Sequence, residues 1–357
     1  MKTSFSRVTG FLTVGVVVLV GATMLMTSLS SEVAAADPIL LNGAGATFPY
    51  PMYSKWFDQY HKLHSDIQIN YQSIGSGGGI RQIIDNTVDF GASDGPMNDD
   101  QTKEFREKRG VSVLHFPTVL GADVPAYNLP GVNQELRFTP EALAGIFLGK
   151  ITRWNDPELT RANPGVNLPG SDIIVVHRSD GSGTTYIWVD YLSKISQEWK
   201  DKVGKGTSVN WPVGLGGKGN EGVASLVKQT PNAIGYVELI YAIQNHMPYG
   251  LVKNSSGNFI KADLASVTAA AAGASDQMPD DFRVSITNAP GKTAYPISSF
   301  TWLLIPANIS DPQKKKVITD FLRWMLTDGQ QFTEALAYAQ LPKAVVAKET
   351  KAISLIQ

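Results

Sequence analysis

Cysteine is absent from this chain of 357 residues. Its absence removes disulfide scaffolds, thiol nucleophiles and cysteine-ligated zinc together. A lipoprotein-type anchor, which needs a cysteine at the processing site, is removed as well. Net charge is nearly absent too, with 31 Lys and Arg against 32 Asp and Glu. No global field draws such a chain to nucleic acid or to an acidic membrane surface. If the chain holds an anion, local groups must do it. Internal repeats at a fixed period are missing. The five histidines, His61, His64, His115, His177 and His246, complete no metal-ligand pattern with carboxylates. His61 and His64 sit one helical turn apart and read as a surface pair. His177 reads as facing away from its neighbour Arg178 across the strand.

What is present is the composition of a soluble globular protein, 43% hydrophobic and 18% charged, at a length that suits two domains. Residues 1–36 stand apart. Lys2 and Arg7 precede an apolar stretch over 11–29, and Val33, Ala34, Ala35 and Ala36 give the small-residue spacing of a cleavage site. The stretch approaches the ~20 residues of a membrane span, but the small-residue site favours a secretory signal cleaved after Ala36. The mature chain then begins at Asp37, and export without cysteine suggests a bacterial periplasm.

Strand-like and helix-like segments alternate thereafter. Strands are expected near 40–45, 67–71, 89–93, 173–176 and 233–237, and helices near 51–64, 139–149, 186–195 and 221–228. The clearest helix opens at Asp311 and Pro312 and presents Val317, Ile318, Phe321, Leu322, Trp324 and Met325 on one face. Lys314, Lys315 and Lys316 in its first turn read as a solvated face. The alanine-rich stretch 265–274 reads as a helix or a loose loop. The alternation predicts an α/β fold.

The most informative stretch is 178–185: Arg178, Ser179, Asp180, Gly181, Ser182, Gly183, Thr184 and Thr185. It follows an apolar strand and precedes a helix. The first N–H groups of a helix lack intrahelical partners and carry the positive end of its dipole. Glycines let the backbone approach closely, hydroxyls add donors, and Arg178 adds a planar charged fork suited to tetrahedral oxyanions. Three further glycine-hydroxyl turns occur in similar settings, around Thr47 and Phe48, around Ser76, and around Ser93 and Asp94. Ligands of open α/β sheets gather beyond the carboxyl ends of strands.

Two other matches fail on context. Gly91, Ser93 and Gly95 match a nucleophile elbow, but Pro96 and the polar run Asn98, Asp99 and Asp100 follow where a long helix should start. Gly214, Gly216 and Gly219 match a dinucleotide fingerprint, but Trp211 and Pro212 precede them instead of a clean strand. The better reading there is a glycine-rich loop packing near a helix start.

The chain resembles the phosphate-binding receptors of bacterial high-affinity phosphate ABC importers over about 41–345. The resemblance is carried by Gly43-Ala-Gly-Ala-Thr-Phe-Pro49, Gly75-Ser76, Thr87-Val-Asp-Phe-Gly-Ala-Ser-Asp94, Phe116-Pro-Thr-Val119 and Leu148-Gly-Lys-Ile151. It continues through Asp180-Gly-Ser-Gly-Thr184, the run from Trp211 to Asn220, and Ala233-Ile-Gly-Tyr-Val-Glu238. It implies a two-domain periplasmic binding protein, type II-like, with a cleft between the domains and two hinge crossovers. One domain would join 37–119 to 288–357, and the other would be 120–287.

The implied phosphate ligands are Thr47, the Phe48 backbone, Ser76, Asp94, Arg178, Ser182, the Gly183 backbone and Thr184, with Asp180 holding Arg178. Where the family often has a second serine after Ser76, this chain has Gly77. Asp94 matters for selectivity: an ionised carboxylate only accepts, phosphate near neutral pH keeps a proton to give, and sulfate does not. No cofactor or metal is implied, and the partners implied are inorganic phosphate and the permease subunits of the importer. The expected protein is a monomeric, non-enzymatic receptor. Its alternatives are a binder of another oxyanion and a secreted phosphatase, for which no nucleophile–base pair is evident.

Overall fold

A strand that ends in glycine or a hydroxyl residue, followed by a helix, recurs along this chain and sets its architecture. The structure is a computed structural model that describes residues 38–275 and 278–357. The signal segment read at 1–36 lies outside the described residues. The first elements are β1 (Ile39–Gly45), α1 (Tyr50–Leu63), β2 (Ile67–Ser73), α2 (Ser76–Ile84), β3 (Phe90–Ser93), α3 (Asp99–Arg109) and the long β4 (Val113–Asn128). Next come β5 (Arg137–Phe138), α4 (Pro140–Phe147), α5 (Pro157–Ala162), β6 (Ile174–Arg178), α6 (Gly183–Ile195), α7 (Gln197–Lys202), β7 (Leu215–Gly217) and α8 (Gly219–Gln229). The chain closes with β8 (Ala233–Glu238), α9 (Leu239–Gln244), β9 (Leu251–Lys253), β10 (Phe259–Ile260), α10 (Leu264–Ser275), β11 (Ser298–Pro306), α11 (Pro312–Leu326) and α12 (Lys343–Ala352).

Among the described residues, eight strands form one curled sheet in the order β2-β1-β3-β11-β4-β8-β6-β7. β1 runs parallel to β2 and β3, and β6 runs parallel to β7 and β8. β4 belongs to both halves: Val113 to Ala122 pair antiparallel with β11, and Asp123 to Asn128 pair antiparallel with β8. The two parallel sets therefore run in opposite senses, and their carboxyl ends meet across β4. Each half, with its helices, makes a lobe.

Each lobe has its own aromatic core. α1 places Tyr53, Trp56, Phe57 and Tyr60 on one buried face, at helical spacing, with a proline in its first turn. They meet Tyr71, Phe90 and the α11 residue Phe321 at ring separations of 5.2–6.1 Å. In the second lobe, Trp188 of α6 stacks on Tyr236 of β8 at 5.0 Å, with Phe147 and Trp211 packed around the pair. Such rings supply the largest single burials in a core.

Three parts of the fold differ from the sequence reading. The polar run after Ser93 is the start of α3: Asn98 accepts from the Gln101 N–H at 2.8 Å, and Gln101 accepts from the Asn98 N–H at 3.0 Å. This reciprocal cap starts a helix within a run that the sequence reading took as evidence against one. Gly214 to Gly219 is more than a loop, since β7 runs through it and α8 starts at Gly219. Its parallel pairing with β6 supplies the strand character that Trp211 and Pro212 obscured. β4 and β11, the two long buried strands at the centre, lack alternation because both faces are covered. The alanine-rich stretch is the helix α10.

The segment after α10 touches both lobes. Trp302 and Arg283 donate to the carbonyls of Phe282 and Met97 at 2.9 and 3.1 Å, which fastens 282–283 to the first lobe. Ser285 and Thr287 donate to buried Asp190 of α6 at 2.6 Å each, which fastens them to the second.

Candidate functional site

All four glycine-hydroxyl turns converge where the carboxyl ends of the two parallel strand sets meet. Thr47 and Phe48 follow β1, Ser76 opens α2 after β2, Asp94 follows β3, and Arg178 through Thr184 span the turn from β6 into α6. Thr47, Phe48, Ser76, Asp94, Arg178, Ser182, Gly183 and Thr184 are buried, with Thr47 and Arg178 at 3%, while Asp180 and Gly181 are half-buried and Ser179 is exposed.

The first lobe contributes a carboxylate between two hydroxyls. The Thr301 hydroxyl, from β11, donates to Asp94 Oδ1 at 2.8 Å. Ser76 Oγ donates to Asp94 Oδ2 at 3.3 Å and accepts from the Asp94 N–H at 3.1 Å. Burial pushes the Asp94 carboxyl up to about 7, while the Thr301 hydrogen bond, the Arg178 charge and the Ser76 hydrogen bond pull it down. The Phe48 carbonyl accepts from the Tyr338 hydroxyl at 2.6 Å and the Thr47 carbonyl from the Tyr241 hydroxyl at 2.5 Å. Tyr241 lies on α9, in the second lobe, so this bond crosses the cleft.

The second lobe contributes the cation. Arg178 donates from Nε to Asp180 Oδ1 at 2.8 Å and from Nη2 to Oδ2 at 2.6 Å, a two-pronged pair that fixes the guanidinium plane. Burial works against both charges, yet the paired bonds hold Arg178 above and Asp180 below their ordinary ranges. Asp180 Oδ1 also accepts from the Gly219 N–H at 3.1 Å. Ser182 caps α6 by accepting from the Thr185 N–H at 3.0 Å, so its hydroxyl hydrogen is free to point elsewhere. Gly183 and Thr184 head the same helix.

The two lobes touch here. The Gly77 N–H donates to the Gly181 carbonyl at 2.9 Å, backbone to backbone across the cleft. A Cβ on Gly183 would lie 2.4 Å from both Asp94 Oδ2 and Ser76 Oγ. Only glycine lets the α6 N-terminus approach that carboxylate so closely. Gly75 has φ of +86°, and a Cβ there would lie 2.5 Å from Asp180 Oδ2.

The arrangement offers donors on most sides and a carboxylate acceptor, Asp94 Oδ2, facing Ser76 and Gly183. It suits a tetrahedral oxyanion that carries a proton. Ser93, the centre of the elbow match, donates to the Gly95 carbonyl at 2.5 Å and serves its own turn. His61 bonds the Ile67 carbonyl at 2.6 Å, and His177 stacks on Trp211 at 4.8 Å. Among the described residues, no group of three His, Asp or Glu is arranged to hold a metal ion.

Sequence reasoning missed Thr301, Asn220 and Tyr241 as members of this site. Thr301 and Tyr241 carried no local signal, since no glycine turn adjoins them. Asn220 closes the glycine-rich run 214–219, and a helix start directly beyond such a run was the available clue.

A model of the PBP superfamily domain matches residues 32–329. A phosphate-binding protein PstS of Pasteurella multocida (strain Pm70) is 45% identical over 309 residues, covering 86% of this chain and 88% of the relative. One from Xylella fastidiosa (strain Temecula1) is 47% identical over 309 residues, covering 86% and 83%. Among solved structures, a high-affinity periplasmic phosphate-binding protein bound with phosphate has a TM-score of 0.70 at 19% identity, covering 88% of this chain and 93% of the other. A phosphate ABC transporter substrate-binding protein with bound phosphate from Clostridium perfringens has a TM-score of 0.61 at 17% identity, covering 85% and 100%. The chain belongs to the PBP superfamily and, within it, to the family of PstS phosphate-binding proteins.

Proposed function

We propose that this chain is an exported, non-enzymatic receptor that captures inorganic phosphate between its lobes and delivers it to the permease subunits of an ABC importer. The observation that carries this reading is one buried acceptor, Asp94 Oδ2, set among donors drawn from both lobes. Thr47, the Phe48 N–H, Ser76, Arg178, Ser182, the Gly183 N–H and Thr184 supply those donors, and Asp180 holds Arg178 in place. Phosphate gives its proton to Asp94. Sulfate has none to give and would set its charge against a buried carboxylate, an arrangement that selects against it. The same device does not exclude arsenate, which keeps its proton.

The working lobes are 37–119 with 288–357, and 120–287; the change of partner along β4, at Ala122 and Asp123, supports the first crossing. The protein acts as a monomer in the periplasm after cleavage behind Ala36. Calorimetric titration of the chain from Asp37 onward, stripped of bound anion, tests the reading. One phosphate per chain is expected, with binding abolished or strongly weakened in Arg178→Ala. Heatless titration, with no phosphate retained on dialysis, would overturn it.

A further inference from the structure

Asn220 is fully buried at the start of α8, and each side-chain bond it makes has a fixed direction. Its Oδ1 accepts from the backbone N–H of Glu238 at 2.9 Å, a group that can only donate. That bond sets which end of the amide is nitrogen. Nδ2 must then donate, and it does so to Thr47 Oγ1 at 2.8 Å and to Thr184 Oγ1 at 3.0 Å. Thr47 comes from the first lobe and Thr184 from the second, so one amide group clasps both.

A hydroxyl has one hydrogen to give and two lone pairs to fill. Thr47 Oγ1 also accepts from the Asn220 N–H at 3.3 Å, and Thr184 Oγ1 from Arg178 Nη1 at 3.3 Å. Both threonines thus have two donors aimed at them, which leaves each with its hydrogen alone. A hydroxyl that would otherwise adapt to any neighbour becomes a donor only.

We propose that Asn220 is a positioning residue that turns Thr47 and Thr184, one from each lobe, into obligate donors toward the bound anion. The inference rests on the phosphate reading above and deepens it. Lobe closure and hydroxyl orientation become one event, because the amide reaches both oxygens only when the lobes are together. The site then presents fixed dipoles and has no need to reorganise them when the anion arrives.

The test is a double-mutant cycle on phosphate affinity, read by calorimetry on the mature chain. Asn220→Asp keeps the shape and the acceptor for the Glu238 N–H, but its other oxygen asks for hydrogens where the amide supplied them. In the native background, Thr47→Val should weaken phosphate ~10-fold or more, as expected for a hydrogen bond to a charged group. In the Asn220→Asp background, the same Thr47→Val step should cost less than about twofold, because that hydroxyl already faces the carboxylate. The added charge is common to both corners and cancels. Thr184→Val should behave alike from the opposite lobe. Equal factors in both backgrounds would overturn the inference while leaving the phosphate reading intact. Absence of phosphate binding by the native chain would overturn both. Should Asn220→Asp fail to fold, Asn220→Ala takes its place in the cycle. Freed hydroxyls must then lose at least about half of their native effect, and an unchanged effect refutes the proposal.

Discussion

Asp94 is a residue whose two oxygens have separate tasks. Thr301 occupies Oδ1 and leaves Oδ2 toward Ser76 and Gly183, where a ligand proton can be received. Its carboxyl titrates near pH 7 because burial outweighs the bonds that favour its charge. Sulfate can be accepted only by the protonated form. Its affinity should therefore be level below about 7 and fall about tenfold per pH unit above. Thr301→Val removes a bond that favours the ionised form, so the midpoint of that fall should move upward, while Thr301→Ser should leave it in place. An unmoved midpoint in Thr301→Val, by calorimetry across pH, would contradict this role. Arg178→Ala should cost phosphate binding ~2–5 kcal/mol, as for a buried charge left without its partner. A loss under ~0.5 kcal/mol would make Arg178 equivalent to a surface ion-pair residue. The turns that carry the ligand candidates were legible in the sequence as glycine-hydroxyl turns, and the choice of residues within them came from the resemblance. Thr301 was not, since a threonine within a fully buried strand looks like any other β-branched core residue.

At the scale of elements, the site depends on how closely α6 approaches the first lobe. Gly183→Ala adds one carbon that would sit 2.4 Å from Asp94 and Ser76. Alanine is the better helix former, so the second lobe should fold at least as well. The expected result is an unchanged circular dichroism spectrum with phosphate affinity down by ~100-fold or more, a large loss because the new carbon would also lie 2.5 Å from Asp94 Cβ, which cannot swing aside. Scattering should show the lobes held apart. Affinity within about twofold of native would mean that closure does not bring Gly183 against Asp94. The strand–turn–helix units that build this contact were readable from periodicity. α3 was not, because its capping box, Asn98 with Gln101, is polar on both sides of the helix start. β7 was hidden as well, since three residues are too few to show a period.

For the whole molecule, β4 is the strand shared by both halves of the sheet, and it carries a buried acid where its partner changes. Asp123 stands at the first register position with β8, opposite Glu238. Both of its carboxyl oxygens, and Glu238 Oε1, are buried without a hydrogen-bond partner among the described residues. Burial, with the neighbouring carboxylates, raises both groups well above the ordinary carboxylate range. The folded chain keeps these protons while the unfolded chain releases them near pH ~4, so stability falls as pH rises from there through the folded values. Asp123→Asn should flatten that slope and raise the melting temperature near pH ~8 relative to the native chain. An unaltered pH dependence would show that Asp123 does not hold its proton. The crossing itself was invisible in sequence, for β4 shows no break at Ala122 and Asp123 where its partner changes from β11 to β8. The two-lobe plan came from the resemblance and from the length of the chain.

The most direct test of the account is sulfate against phosphate, titrated calorimetrically into the native chain and Asp94→Asn well above the Asp94 midpoint of about 7. The account predicts that the native chain binds one phosphate and gives no sulfate signal, and that Asp94→Asn binds sulfate. Sulfate binding by the native chain with phosphate-like affinity, or continued rejection of sulfate by Asp94→Asn, would contradict it.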